Sequence, residues 1–487
     1  MFVKQLKLYN YKSFYNSDPF EFTFGPRANY IVGNNNCGKT SIFSALEVLS
    51  DTKRAKNAHI APFGSVTTTG YVEATFVSSN KGDFPTSIQT YCQTCSDGAV
   101  IRIRRELHYD NDCTSPDGAM IYDSDTASFS GKVSDKTIKE LLQPIIIEAL
   151  TDANDIADFG STKLLGKIIA SQTKTFESTK EWSNLLKAYD AAFSGSSGIK
   201  KYLENIENSI NAVLASQYES RSEARITFDR PNPSNLIKYG GVRVDDGFAD
   251  SPIETKGTGL QRAVAFAVIQ TYAETLGGKP GDKLDLCIDE PETWMHPLAQ
   301  KHLSNALSNI AEKQQLWIST HSPYMLMSYD ALAGDTLTII HNQSSSSRIT
   351  SGASLGILQR QHPSIAEISY KAFELATPEY HSELIGYIQN KLNMPHLTDL
   401  DAYLRASIDR DGNQRFITKR RYKETLKNAK VISESLPVYI RNCIDHPEVR
   451  PNIPINDRAS GITNEFDDSE LSESISALEQ LISDENI

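Results

Sequence analysis

The sequence predicts an α/β fold: a parallel sheet with its functional groups at one edge, a helical insertion, and an all-α domain at the C-terminus. Three observations lead there. Short apolar strands in "NYIVG", "KLDLCIDE" and "QLWISTH" run directly into a glycine, two acids or a histidine, as buried parallel strands do when they present groups at their carboxyl ends. Residues 136–220 carry helical periodicity in "KTIKELLQPIIIEAL", "TKLLGKIIASQ", "EWSNLLKAYDAAF" and "IKKYLENIENSINAVLASQ". From Pro363 onward strand signals thin out and short helical stretches follow one another. The expected segments are a first lobe over 1–135, the insertion over 136–225, a second lobe over 226–360 and the helical domain over 361–487.

Taken in order, "MFVKQLKLYNYKSF" alternates apolar and polar residues and reads as a first strand, not as a signal peptide with an unbroken apolar core. Next, Tyr30, Ile31 and Val32 lead into Gly33, Asn34, Asn35, Asn36, Cys37, Gly38, Lys39, Thr40 and Ser41. A helix follows, with Ile42, Ala45, Leu46 and Leu49 on one face. This is G-x-x-x-x-G-K-[ST] in the strand–loop–helix setting that gives it meaning. The glycines let backbone N–H groups wrap a phosphate at the positive end of a helix. Lys39 would reach the β- and γ-phosphates of ATP, and the Thr40 hydroxyl would hold Mg²⁺. The strand around Ile288 ends in Asp289 and Glu290; the first suits the Mg²⁺ shell and the second the attacking water. His321 follows the next apolar strand and is expected to sense the γ-phosphate. Between these motifs, "ETKGTGLQRAVAFAVIQTYAE" at 254–274 is a glycine-rich turn opening an apolar helix, again an anion-binding device. One phosphate loop needs no second device for its own nucleotide, so this turn is expected to cover a γ-phosphate held by another subunit.

Composition sets outer limits. At 487 residues the chain can hold two or three domains, and 39% hydrophobic with 23% charged residues is ordinary for a globular protein. No apolar run approaches the roughly 20 residues that span a bilayer, so no membrane association is expected. Six scattered cysteines suit a reducing cytoplasm. A net charge of −12 argues against coating nucleic acid by bulk charge, while a local basic groove stays open.

Together GNNNCGKTS, KGTGLQRA, LCIDEPE, HP-x-x-Q and STHSP resemble, over residues 1–345, the ABC-type ATPases of the SMC, RecF and OLD group. That resemblance implies ATP and Mg²⁺ as cofactors, ATP hydrolysis, and a homodimer through the ATPase heads that can build into a higher oligomer. It makes Gly257, Thr258, Gly259 and Gln261 the signature turn acting in trans. A Gln loop is not evident; Gln89 and Gln93 lie in the right region without a fitting context. The insertion is far too short for a chromosome-organising coiled coil, and the tail after residue 345 offers helices in place of the strands of a toprim nuclease domain. "PSIAEISYKAFELATPEYHSELIGYIQNKL" and "SLPVYIRNCIDHPE" resemble the helical C-terminal domain of defence-associated ATPases, first the PtuA family of Septu systems and some retrons, second the AriA family of PARIS systems. This implies a separate nuclease partner, of HNH type in Septu, held or licensed until a nucleic-acid or phage-derived trigger arrives.

Weaker patterns remain. Arg441 and His446, beside Asn442, resemble the R-x₄-H motif of HEPN ribonucleases. An active RNA site, a HEPN-like fold used for assembly and coincidence all stay open, as does a RecF-like clamp on duplex DNA. Cys92, Cys95, His108 and Cys113 are ligand types that zinc accepts, in a stretch that alternates like strands. Arg420, Lys423, Lys427 and Lys430 fall at helical spacing as one positive stripe, and Leu471, Ile475, Leu478 and Ile482 mark a packing helix in the acidic tail.

Overall fold

The computed structural model describes residues 1–33, 35–53, 69–96, 98–110, 113–147, 176–193, 198–217, 223–232, 240–276, 285–293, 295–343, 346–351, 363–424, 429–445 and 465–485, with single positions between 165 and 236. They form two compact units: one of residues 1–146, 285–292 and 297–487, the other of residues 147–284 and 293–296.

The first unit opens with β1 (Phe2–Tyr9), β2 (Phe20–Thr23) and β3 (Ala28–Gly33), followed by helix α1 (Lys39–Ser50). Strands β4 (Thr69–Ser78), β5 (Gln93–Cys95), β6 (Gly98–Asp110), β7 (Cys113–Pro116), β8 (Ala119–Asp123) and β9 (Ser128–Val133) come next, then α2 (Asp135–Leu141) and β10 (Pro144–Ile147). An antiparallel sheet runs β2-β1-β4-β6-β8-β9, with β5 and β7 also on β6. Its alternation is that expected from the N-terminal sequence: Leu6 and Leu8 point into the core, as period-2 patterning requires. Ser134 caps α2 by accepting from the Thr137 N–H, and Ile138 and Leu141 join the same core as α1. The compact unit therefore continues past residue 135. "PIII" at 144–147, expected as helix, is a strand, as a run of β-branched residues favours.

The second unit contains α3 (Lys180–Phe193) and α4 (Ile199–Gln217), where helical periodicity was expected, and the small hairpin β11 (Arg243–Asp245) and β12 (Asp250–Pro252). It also contains α5 (Thr258–Leu276). Most of "TKLLGKIIASQ" lies outside the described residues.

Back in the first unit, β13 (Asp285–Asp289), α6 (Pro297–Ala311), β14 (Leu316–Ser319), β15 (Thr336–Gln343) and β16 (Ser346–Ser351) complete a sheet ordered β10-β13-β14-β3-β15-β16. Strands β13, β14, β3 and β15 are parallel, and β16 closes the edge antiparallel. The register sets Asp289 beside Ser319, Ser319 beside Ile31, and Gly33 beside Ile340, so these strands end on one edge. Ile31, Cys287, Trp317 and Ile340 share one core cluster with α1 and with β1, β4, β6 and β8. Helix α1 accordingly buries Phe43 and Val48 as well as the expected Ile42, Ala45, Leu46 and Leu49. The one-sided reading is corrected: a helix with a sheet on either side is apolar on two faces.

The C-terminal part holds α7 (Ile365–Phe373), α8 (Pro378–Lys391), α9 (Leu397–Ala406), strands β17 (Thr418–Glu424) and β18 (Ala429–Ser435), α10 (Leu436–Asp445) and α11 (Asp468–Glu485). Thr377 accepts from the Tyr380 N–H and Pro378 occupies the first turn, fixing where α8 starts. α11 buries Leu471, Ile475, Leu478 and Ile482 against α8, α9 and α10. The domain is helical apart from β17–β18, an antiparallel hairpin that corrects the helical stripe: Arg420 pairs with Ser433 and Lys423 with Lys430 across it, and Lys427 lies outside the described residues. Within the hairpin Arg421 and Glu434 form a buried diagonal ion pair at 2.8 Å between the two strands. Among the described residues no helix is long and apolar enough to cross a membrane.

Within this domain His381 is fully buried, its Nε2 2.9 Å from Ser474 Oγ. Burial pushes the imidazole down to about 3. The unfolded chain therefore binds a proton below about pH 6.5 that the folded domain refuses, and stability falls with acid by about 1.4 kcal/mol per pH unit between those values. Melting of the protein between pH 7 and pH 4 should show this loss, and His381→Leu should flatten it.

Candidate active site

The loop between β3 and α1 is shaped by two glycines that admit no side chain. A Cβ on Gly33 would lie 2.3 Å from the Ile340 carbonyl oxygen and 2.8 Å from Cys37 Sγ. On Gly38 it would meet Ser13 Oγ at 2.3 Å and Phe14 Cζ at 2.9 Å, and Gly38 has a φ of +102° as the residue preceding α1, a conformation that glycine adopts without cost. Cys37 is buried beneath the loop, and burial pushes its thiol up, so it serves as packing and not as a nucleophile. The loop and Glu290 line a cavity of about 630 Å³, joined by Ser13 from the turn after β1. Asn34 lies outside the described residues; Asn35, Asn36, Cys37, Gly38, Lys39, Thr40 and Ser41 all line the cavity.

Lys39, Thr40 and Glu290 line the cavity, and His321 and Asp289 lie beside them, against Lys39 and Glu290 and against Thr40 respectively. Lys39 Nζ donates to the Gly33 carbonyl at 3.0 Å and lies 2.7 Å from His321 Nε2. An ammonium at that distance makes Nε2 the acceptor, so the ring is neutral. Burial, and then the Lys39 charge, hold the His321 pKa below its ordinary value, against the pull of Glu290 and Asp289. Glu290 Oε1 stands 3.3 Å from the same Nε2. The Thr40 hydroxyl donates to Asp289 Oδ2 at 3.2 Å, and Ser319 Oγ donates to Asp289 Oδ1. Glu290 itself takes a φ of +44°, strained for a bulky residue. Its N–H is tied to the Ser319 carbonyl at 3.0 Å and to Ser319 Oγ at 3.3 Å, which holds the strained turn in place.

These residues fit a nucleotide and its cation. The cavity sits at the N-terminus of α1, where unsatisfied N–H groups favour an anion. The Thr40 hydroxyl and Asp289 carboxylate are hard oxygen donors of the kind Mg²⁺ takes. The family model for the AAA ATPase domain matches residues 1–112 and 120–326. This chain belongs to that family. As an AAA ATPase domain protein it is 26% identical over 310 residues to the Old nuclease of Escherichia phage P2, covering 61% of this chain and 53% of the relative. It is 25% identical over 418 residues to the Endonuclease GajA of Bacillus cereus (strain HuB5-5), covering 67% of this chain and 59% of the relative. The chain thus spans a little over half the length of these two relatives. A solved SMC head bound to the C-winged helix domain of ScpA is similar at 15% identity and a TM-score of 0.46, over 72% of this chain and 97% of that one.

Beyond the expected residues, Glu292 of this AAA ATPase domain also braces the segment that carries His321. Its Oε1 accepts from the Thr320 hydroxyl and from the His321 N–H, each at 2.7 Å. Burial pushes this carboxyl up. Gln300, from the HP-x-x-Q stretch, accepts from Ser322 Oγ at 2.5 Å on the same segment. Glu292→Ala should lower kcat roughly 10- to 100-fold with KM little changed, because a lost hydrogen bond to a charged acceptor is worth about 1.5–3 kcal/mol. Glu292→Gln, which keeps an oxygen acceptor, should restore most of the rate. A fall in melting temperature without a change in kcat would assign Glu292 to stability alone.

Other expected residues lie elsewhere. Gly257 precedes α5, and its carbonyl accepts from Leu260 and Gln261; the Gln261 side chain returns to the Lys256 carbonyl at 2.9 Å. A Cβ on Gly257 or Gly259 would meet nothing within 4 Å, so neither glycine is demanded by its own surroundings. Thr258 opens α5. Gln89 donates to the Phe84 carbonyl and Gln93 pairs in β5, so neither lines the cavity. The zinc grouping does not assemble: Cys95 sits opposite Gly98, whereas His108 is ten residues farther along β6, about 34 Å away at strand rise. His108 pairs with Asp117 at 2.9 Å. In the Arg441 region, Arg441 pairs with Asp445 at 2.9 Å and the Asn442 amide donates to Glu434 at 3.2 Å. His446 lies outside the described residues.

Proposed function

We propose that this chain is the ATP-binding and ATP-hydrolysing regulatory subunit of an antiphage defence system, acting in the cytoplasm as a dimer of ATPase heads that controls a separate nuclease. The observation that carries the reading is the cavity at a helix N-terminus lined by Lys39, Thr40 and Glu290, with Asp289 bonded to Thr40 and His321 beside Lys39 and Glu290. When bound, Mg²⁺ supplies charge for the departing phosphate. Thr40 and Asp289 would hold it, Lys39 would leave the Gly33 carbonyl for phosphate oxygens, Glu290 would orient and deprotonate water, and His321 would report the γ-phosphate. Gly257, Thr258, Gly259 and Gln261 would complete the site of a second copy. The defence and nuclease side draws support from two relatives that bear nuclease names and from the resemblance of the C-terminal helices to the PtuA family, which favours an HNH partner. The pairing of Arg441 with Asp445 and of Asn442 with Glu434 supports using α10 for assembly in preference to RNA cleavage.

Purified chain with Mg²⁺ and ATP should release phosphate, and Lys39→Ala should cut this at least about 100-fold, the scale for losing one charge that stabilises a transition state. Cells expressing the chain with its neighbouring reading frame should resist phage and lose resistance with the same variant. Full resistance with Lys39→Ala would reject the ATP-driven reading.

A further inference from the structure

We infer that Glu106, His108 and Asp117 form a metal site, built from none of the nucleotide-site residues, that takes Zn²⁺ or a divalent ion of the same borderline character. The β6–β7 ribbon brings the three together. Asp117 follows β7 and donates its N–H to the Glu106 carbonyl at 3.0 Å. This continues the antiparallel register that sets Leu107 beside Pro116 and His108 beside Ser115. Glu106 and Asp117 therefore stand opposite each other, and His108, two residues along β6, shares the face of Glu106. One donor atom from each residue lies within 4.8 Å of the other two, and His108 Nε2 is already 2.9 Å from Asp117 Oδ2. Donors around a tetrahedral ion with bonds of about 2.0–2.1 Å sit roughly 3.3 Å apart, so small side-chain rotations close the set.

Charge points to a cation. Like charges directly opposite on neighbouring strands repel, yet these two carboxylates converge. Among the described residues neither pairs with a lysine or arginine, and the Asp117 carboxylate meets His108. The adjacent guanidinium groups are engaged elsewhere. Arg104, two residues back on the same face, gives Nε and Nη2 to Glu73 Oε2 at 3.0 and 2.7 Å. Arg105, turned to the core, donates to the Asp117 carbonyl at 3.0 Å and not to its carboxylate. The donor set selects the ion. An imidazole nitrogen disfavours Mg²⁺ and Ca²⁺, and two carboxylates without a thiolate disfavour the softest ions, which leaves Zn²⁺ and its borderline neighbours. The His108 and Asp117 side chains are 45 and 53% exposed, so water can complete the coordination. Glu106 fixes the Asp117 N–H and Arg105 its carbonyl. An ion held there clips the β6–β7 ribbon to the residue that anchors the end of α1.

The test uses the full chain, chelator-treated and without nucleotide, with Zn²⁺ as the probe. An Asp289→Asn background removes the carboxylate assigned to Mg²⁺ and keeps the test apart from the ATPase reading. Titration calorimetry in that background should find about one equivalent of Zn²⁺, which a large excess of Mg²⁺ does not displace. His108→Ala and Asp117→Asn should each weaken binding at least roughly 100-fold, since losing even a partner outside the ligand set costs about 10–100-fold. Zn²⁺ should raise the melting temperature of the background protein and leave that of His108→Ala unchanged. Absence of binding, displacement by Mg²⁺, or equal affinity in the two variants would overturn the inference. Asp117→Asn keeps the size and shape of the side chain, and its affinity decides the matter if His108→Ala fails to fold.

Discussion

Replacing Glu290 by Gln is expected to slow ATP turnover by roughly 10²–10³-fold while leaving ATP binding intact, and to trap the chain as an ATP-bound dimer. The size follows from what a positioned base contributes to proton transfer, about 10²–10⁴-fold. Binding should survive because Lys39, Thr40 and the rest of the loop, which line the cavity, are left untouched. The strained φ of +44° also survives, since it is held through the Glu290 backbone N–H and not through the carboxylate. The nearby rival for the base is His321, neutral and 3.3 Å from Glu290. Its Nε2 is engaged with Lys39 at 2.7 Å, which leaves Glu290 the group with a lone pair to give. Single-turnover hydrolysis and size-exclusion with ATP separate the outcomes: unchanged turnover in Glu290→Gln would pass the base role to another residue.

Which parts of this arrangement were legible in the sequence follows from how far apart the interacting residues lie. Gly33 to Ser41 could be read because one short segment contains the strand, the turn and the helix start together. Asp289, Glu290 and His321 could be read because each directly follows an apolar strand, and parallel strands bring such ends to one edge. Glu292 was not legible as a support: its partners, Thr320 and His321, are 28 and 29 residues away and include a backbone N–H. The hairpin β17–β18 was missed because Arg420, Lys423, Lys427 and Lys430 satisfy a helical period by sequence alone, whereas Arg421 sits opposite Ile432 and reaches diagonally to Glu434 on the other strand. The two-sided burial of α1 did have a signal. Phe43 and Val48 are apolar and lie off the stripe formed by Ile42, Ala45, Leu46 and Leu49.

β6 carries another readable signal, and it leads to the largest expected loss of stability. In "AVIRIRRELHY" the inward positions are Ile101, Ile103, Arg105 and Leu107, so alternation itself places an arginine in the core. Arg105 is fully buried and spends its guanidinium on four acceptors. It donates to the Leu49 carbonyl at 3.0 Å, to Thr52 Oγ1 at 2.7 Å, to the Asp117 carbonyl at 3.0 Å and to Asp135 Oδ1 at 2.7 Å. It thereby ties the C-terminal end of α1 to the sheet and to the start of α2. Burial alone would raise the Asp135 pKa, yet hydrogen bonds from Thr52 and Arg105 hold it below its ordinary value. Arg105→Leu fills similar space but strands the two carbonyls, each at about 1–3 kcal/mol. The Asp135 pairing adds less, because that carboxylate is one-third exposed. A total loss of about 3–5 kcal/mol should lower the melting temperature by several degrees, and Arg105→Lys should recover little, since an ammonium cannot reproduce the planar fork. Because α1 bears Lys39 and Thr40 at its other end, the same variant should also weaken ATP binding near its melting range while leaving it intact at low temperature. Melting at the wild-type temperature would show that packing around α1, and not this network, sets the stability of the head.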